Sequence, residues 1–167
     1  MVNTATTMTP QLGLSEETMD KAVEVLSTLL ADQFTLRLKL RKYHWNVTGP
    51  QFLALHELFE QQYEKLAETI DTVAERLRSY GAVAPGTMIE FQEAARLSEQ
   101  AGHNPQAELM VRDLVSDHEA LVRYLRNDID IADDLDDDGL EDFLTAQLQE
   151  HQEMAWMLRS FITTDGI

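Results

Sequence analysis

The chain has 167 residues, 44% hydrophobic and 26% charged, the makeup of one folded domain with its own core rather than of a disordered segment. Thirty Asp and Glu against 13 Lys and Arg give a formal charge of −17, which repels phosphate backbones and anionic lipid and favours cations as partners. With no cysteine, disulfides, thiolate metal sites and cysteine nucleophiles are excluded, and a metal must sit on His and carboxylates.

Residues 1–14 contain neither a basic start nor an unbroken apolar run, so they read as a flexible tail and not as a secretory signal. No segment is long and apolar enough to span a bilayer, which makes the cytoplasm the default location. One domain is expected over 15–163, with 164–167 as a short C-terminal tail. Ser15, followed by Glu16 and Glu17, caps a first helix that runs to about Asn46. Residues 34–45 alternate apolar and polar like a strand, but no turn signal separates them from the helical pattern of Met19, Val23, Leu26 and Leu30. The helix therefore continues through them. Residues 46–50 form a turn in which Thr48 is placed to cap a second helix against Gln51, with Pro50 in its first turn and Gly81 at its end. Its core stripe is Phe52, Leu55, Phe59, Tyr63, Leu66, Ile70, Val73 and Leu77. Thr87 and Glu90 form a capping box for a short helix to about Arg96. Asn104-Pro105 opens a third long helix ending near Asp133, and Asp138 with Glu141 caps a fourth reaching about Ile162. Two short connections flank one long one, so the fold class is all-α: a four-helix bundle of ferritin-like connectivity with a short extra helix in the middle crossover.

The second helix also carries His56 and Glu60, then Asp71 and Glu75, each pair four residues apart on one face. His56 and Asp71 lie fifteen residues apart, roughly 22 Å along a helix at 1.5 Å per residue, so one chain cannot gather all four on one ion. His56 and Glu75, like Glu60 and Asp71, are symmetric about a point between Lys65 and Leu66. A two-fold axis there sets His56 and Glu60 of one copy against Glu75 and Asp71 of another, giving two equivalent sites per isologous dimer. His44, at the end of the first helix, reaches the same end. Two imidazoles and three carboxylates suit Fe(II) or Zn(II). Charged residues at i, i+4 are commonest as a solvated helix face. The shared midpoint, the paired histidines and the lack of Lys or Arg at these positions favour a metal site instead. Bundles with an intrachain di-iron site use Glu-x-x-His pairs, whereas Arg41, Leu53, Gln100, Val115 and Leu148 stand three residues before the five histidines here.

From Lys42 through Gly81 the stretches KYHWNVTGPQF, LHELFE and IDTVAERL resemble the Dps family of mini-ferritins. That resemblance implies a hollow homododecamer joined through two-fold and three-fold interfaces. Within it Fe(II) is oxidised, preferably by hydrogen peroxide, at inter-subunit sites, and ferric mineral is stored inside, which protects against oxidative damage. It carries the ligand roles onto His44, His56 and Glu60 of one subunit and Asp71 and Glu75 of its two-fold mate, with Glu60 standing where the family commonly has Asp. Zinc fits the same donors. By the same resemblance Asp137 and Asp142 line three-fold pores that draw in Fe(II). Trp45 packs at the dimer interface, with electron donation to a stray oxidant as its alternative role.

His103, His118 and His151 have no partners at ligand spacing and read as surface histidines. Family members that compact DNA typically do so through Lys- and Arg-rich tails. No Lys or Arg precedes Lys21 here, so DNA binding is not expected. The competing readings are a non-enzymatic DNA-protecting shell and a metal-free helical interaction module.

Overall fold

The computed structural model describes residues 10–162. Five helices follow one another: α1 (Glu16–Asn46), α2 (Phe52–Ser79), α3 (Met88–Ala94), α4 (Ala107–Asp134) and α5 (Asp138–Arg159). Helices α1 and α2 pack as one hairpin and α4 and α5 as a second, while α1 also contacts α3 and α4. The long connection between the hairpins carries α3, which is the all-α, ferritin-like arrangement expected. No described helix is long and apolar enough to cross a membrane.

Local chemistry sets the boundaries. The Ser15 hydroxyl accepts from the Thr18 N–H, and Thr87 with Glu90 forms the expected capping box. Five starts or ends differ from expectation: α4 starts at Ala107, after Gln106 without a side-chain cap, rather than at Asn104-Pro105, α5 ends at Arg159 rather than near Ile162, and hydrogen bonds mark the other three. Thr48 does not cap α2: the Gly49 carbonyl takes the Phe52 N–H, and Gln51 bounds the helix without a side-chain cap. Asp137, one residue earlier than expected, caps α5, its side chain accepting from Leu140 N–H while Asp136 turns the chain at φ 52°. Helix α3 stops before Arg96 because the Arg96 and Leu97 N–H groups both donate to Asp32 Oδ1, at 2.6 and 2.9 Å. Gly81 closes α2 at φ +86°, a left-handed conformation costly for any other residue, close to the Pro10 ring. Of the expected tail, Leu14 packs on the core and Pro10 lies close to Gly81, while residues 11–13 between them are exposed. Residues 1–9 and 163–167 of the two tails lie outside the described part.

The core consists of two apolar clusters along the bundle. Leu26, Leu29, Val73, Leu77, Leu125 and Leu144 belong to one, and Leu36, Leu40, Phe59, Leu66, Leu114 and Leu158 to the other. The expected α2 stripe is buried at Leu55, Phe59, Leu66, Val73 and Leu77, half-buried at Tyr63 and Ile70, and exposed at Phe52. An ionic latch fastens the crossover. Fully buried Asp32 on α1 also accepts from Arg96 Nε at 2.8 Å, and both terminal nitrogens of Arg96 reach the Asp128 carboxylate on α4 at 3.0 Å.

Candidate metal centre

His44 sits in the last turn of α1 and His56 in the second turn of α2. The five-residue connection between the helices folds them together with ring centroids 3.7 Å apart and planes within 18°. Each ring reaches across to the other's main chain: His44 Nδ1 lies 2.8 Å from the His56 carbonyl oxygen, and His56 Nδ1 lies 2.9 Å from that of His44. A carbonyl only accepts, so each Nδ1 carries a proton, and in the neutral tautomer of each ring it is Nε2 that keeps the lone pair. That is the state a metal requires of histidine, fixed by hydrogen bonds from the nitrogen that does not ligate. His44 is buried and His56 half-buried.

Glu60 lies one turn beyond His56 and is half-buried, its Oε1 accepting from the Tyr63 hydroxyl at 3.0 Å. Burial and the bond to Glu60 push the Tyr63 hydroxyl up from its ordinary value, so Tyr63 remains a donor. Its ring meets His44 edge-on at 5.3 Å. Asp71 and Glu75 lie well along α2, and both are exposed. Among the described residues no three His, Asp or Glu of one chain form a group able to hold a metal ion. Trp45 is 63% exposed, with the Arg41 guanidinium 5.3 Å from its ring centre, and Phe52 and Leu53 nearby in sequence are also exposed.

The two aspartates assigned to a pore differ in their surroundings. Asp137 is buried, with one oxygen capping α5 and the other accepting from Tyr80 Oη at 2.5 Å. Asp142 is exposed.

The interior histidines require a correction. His118 and His151 are fully buried, not on the surface, and their Nδ1 atoms lie 3.0 Å apart. Gln33 Nε2 donates to Gln147 Oε1 at 2.9 Å and approaches His151 Nε2 at 3.3 Å, joining α1, α4 and α5 in a polar layer at the junction of the apolar clusters. Helical spacing could have revealed it: Met110, Leu114, His118, Leu121 and Leu125 follow one buried stripe of α4. Burial and the neighbouring His151 hold His118 well below its ordinary value, and burial lowers His151 to about 4. His103 is half-buried and lies 3.2 Å from Asp113.

Two helical hairpins joined by a long crossover, with a stacked histidine pair where α1 meets α2, define a class, and the family model for the ferritin-like domain matches residues 23–166. The chain belongs to the ferritin-like family, and within it to Dps. It is 38% identical to DNA protection during starvation protein 2 of Bacillus anthracis over 142 residues, covering 85% of this chain and 97% of that protein. A low temperature-induced protein of Nostoc sp. is 49% identical over 152 residues, covering 90% of this chain and 85% of that one. The crystal structure of the DPS protein from Vibrio cholerae O1, described as a member of a broad superfamily of ferritin-like diiron-carboxylate proteins, superposes with a TM-score of 0.85. The two are 26% identical, with 94% of this chain and 99% of that one covered.

Proposed function

We propose that this chain oxidises and stores iron, taking Fe(II) as substrate at sites shared between two subunits of a homododecamer. The observation that carries the reading is the stacked His44–His56 pair, whose Nδ1 atoms are both taken by main-chain carbonyls so that Nε2 is the nitrogen left for a metal, with Glu60 one turn beyond His56 on α2 and Asp71 and Glu75 further along the helix. Each half is an incomplete ligand set, and a two-fold axis near the middle of α2 makes them one. Imidazoles and carboxylates bind Fe(II), and the anionic oxygens favour Fe(III), so the metal carries the redox change without a side-chain nucleophile. Hydrogen peroxide is the preferred oxidant: one molecule takes one electron from each of two Fe(II), its O–O bond breaks, and two protons complete two waters. Ferric ion then hydrolyses to mineral inside the shell, and the reagents of hydroxyl-radical chemistry are consumed together. Zinc competes for the same donors.

Exposed Trp45, Phe52 and Leu53 near the site supply apolar surface for a second copy to cover. Asp142 lines the three-fold pore, and Asp137, with both oxygens engaged, shapes the same corner from within. The formal charge of −17 argues against DNA as a partner in this reading, because it repels the phosphate backbone.

The test combines particle mass in solution with Fe(II) oxidation by peroxide, comparing the unaltered chain with His56→Ala and Asp71→Ala. A dodecamer whose oxidation rate falls in both variants supports the proposal. Equal oxidation in all three samples overturns it.

A further inference from the structure

Tyr63 touches two of the three proposed ligands that one subunit contributes. Its hydroxyl donates to Glu60 Oε1 at 3.0 Å, and its ring stands edge-on to His44 at 5.3 Å and 80°. Three α1 residues in turn hold Tyr63. Arg37 Nε donates to its carbonyl at 3.2 Å, His44 packs on its ring, and the Arg41 guanidinium lies 5.7 Å from its ring centre, with Trp45 as that cation's other aromatic neighbour at 5.3 Å.

Chemistry gives this contact a purpose. A glutamate has one more rotatable bond than an aspartate and swings more freely from a helix, which costs entropy whenever it must meet a metal. Tying Oε1 to a neutral donor one turn away restricts the carboxylate and leaves Oε2 to face an incoming ion. A ligating carboxylate that is itself hydrogen-bonded is part of the outer shell by which a protein orients and tunes its metal. We propose that Tyr63 is a positioning residue of the inter-subunit site, clamping Glu60 through its hydroxyl so that the longer side chain serves as a defined ligand; this rests on the iron-oxidising reading above.

Tyr63→Phe removes the hydroxyl and keeps the ring against His44. Co(II), which peroxide-free solution leaves unoxidised, is the probe, titrated by calorimetry and by its visible absorption into the assembled protein, Tyr63→Phe, Glu60→Ala and the double variant. His56→Ala is the control for the site, and matching helical content and particle size are the control for folding. The expected result is a three- to tenfold weaker Co(II) affinity and an altered spectrum for Tyr63→Phe, with no further loss when the same change is made on Glu60→Ala. If the unaltered protein takes up no Co(II), or His56→Ala takes up as much, the iron site falls and the role of Tyr63 with it. If those controls hold but Tyr63→Phe matches the unaltered protein in affinity and spectrum, the positioning role alone is overturned. That role is equally overturned if Tyr63→Phe costs as much without Glu60 as with it.

Discussion

His44 and His56 lock each other's tautomer through main-chain oxygens: each ring donates its Nδ1 proton to the other residue's carbonyl, at 2.8 and 2.9 Å. Because the acceptors are carbonyls, replacing either side chain leaves the acceptor of the survivor in place. His44→Ala and His56→Ala should therefore each lose one ligand without the additional factor of about 10–100 that follows loss of outer-shell orientation. Calorimetric Zn(II) titration checks this: the two single losses should multiply in the double variant. A single change already as damaging as the double would mean that the rings, and not the backbone, hold the arrangement.

Asp137 and Asp142 should separate cleanly. Asp142→Asn changes an exposed charge and should slow Fe(II) uptake while leaving the unfolding midpoint nearly unchanged. Asp137→Ala removes the α5 cap and orphans the buried Tyr80 hydroxyl, a cost of about 1–3 kcal/mol. Stopped-flow uptake and thermal unfolding, measured on both variants, read the two effects. Uptake unaffected by Asp142→Asn would remove that residue from the entry path.

The Arg96 latch carries a larger stability effect. Arg96→Leu leaves the carboxylates of Asp32 and Asp128 buried with no cation between them, and breaking a buried pair in this way costs about 3–5 kcal/mol. Denaturant unfolding should show this loss, and adding Asp32→Asn and Asp128→Asn to the same chain should recover part of it by removing the stranded charges.

Much of this architecture is legible in the chain because it depends on local rules. Ser15, the Thr87–Glu90 box and Gly81 mark ends where one residue's chemistry decides the backbone, and all three hold. What is not legible depends on contacts distant in sequence. Arg96 looks like the end of α3 until Asp32, sixty-four residues away, takes its N–H. His118 and His151 carry no mutual spacing signal because they meet across thirty-three residues, although the buried stripe of α4 points inward at His118. The ligand set proposed on α2 rests on the opposite kind of signal: four of its five residues share one helix, and a helix turns spacing directly into geometry. The Tyr63 clamp on Glu60 sits at an i, i+3 interval and is equally local, but Tyr63 also fits the core stripe, and that fit alone accounts for an aromatic residue there.

The interior histidine pair makes stability depend on acidity. The groups in hydrogen-bond contact with it are the uncharged amides of Gln33 and, through it, Gln147, so a second proton on the pair has no anion to meet. Unfolded histidine titrates near 6.5, whereas burial lowers His151 to about 4 and holds His118 well below 6.5. Between those limits the unfolded chain binds more protons than the folded one. Stability is thus fully present above pH 6.5 and falls on acidification by up to about 1.4 kcal/mol per pH unit for each histidine. Denaturant unfolding at pH 7, 6 and 5, at fixed protein concentration, should show that slope, and His118→Gln should reduce it by removing one titrating group. An unchanged slope would assign the acid sensitivity to other residues.

The sharpest prediction concerns which chain supplies which ligand. In a two-fold site, one copy gives His44, His56 and Glu60 and the other gives Asp71 and Glu75, so His56→Ala disables only the first half and Asp71→Ala only the second. Each variant alone has every site broken. In a mixed assembly, a site whose histidines come from an Asp71→Ala subunit and whose acids come from a His56→Ala subunit has all its ligands intact. Random co-assembly in equal amounts makes about a quarter of the sites whole, because each of the two required choices falls right half the time. Co-expressed and co-purified particles should therefore recover about a quarter of the unaltered peroxide-driven Fe(II) oxidation, while the same variants assembled separately and then mixed should recover none. A site built within one chain predicts no recovery in either sample, since every subunit then carries its own defect.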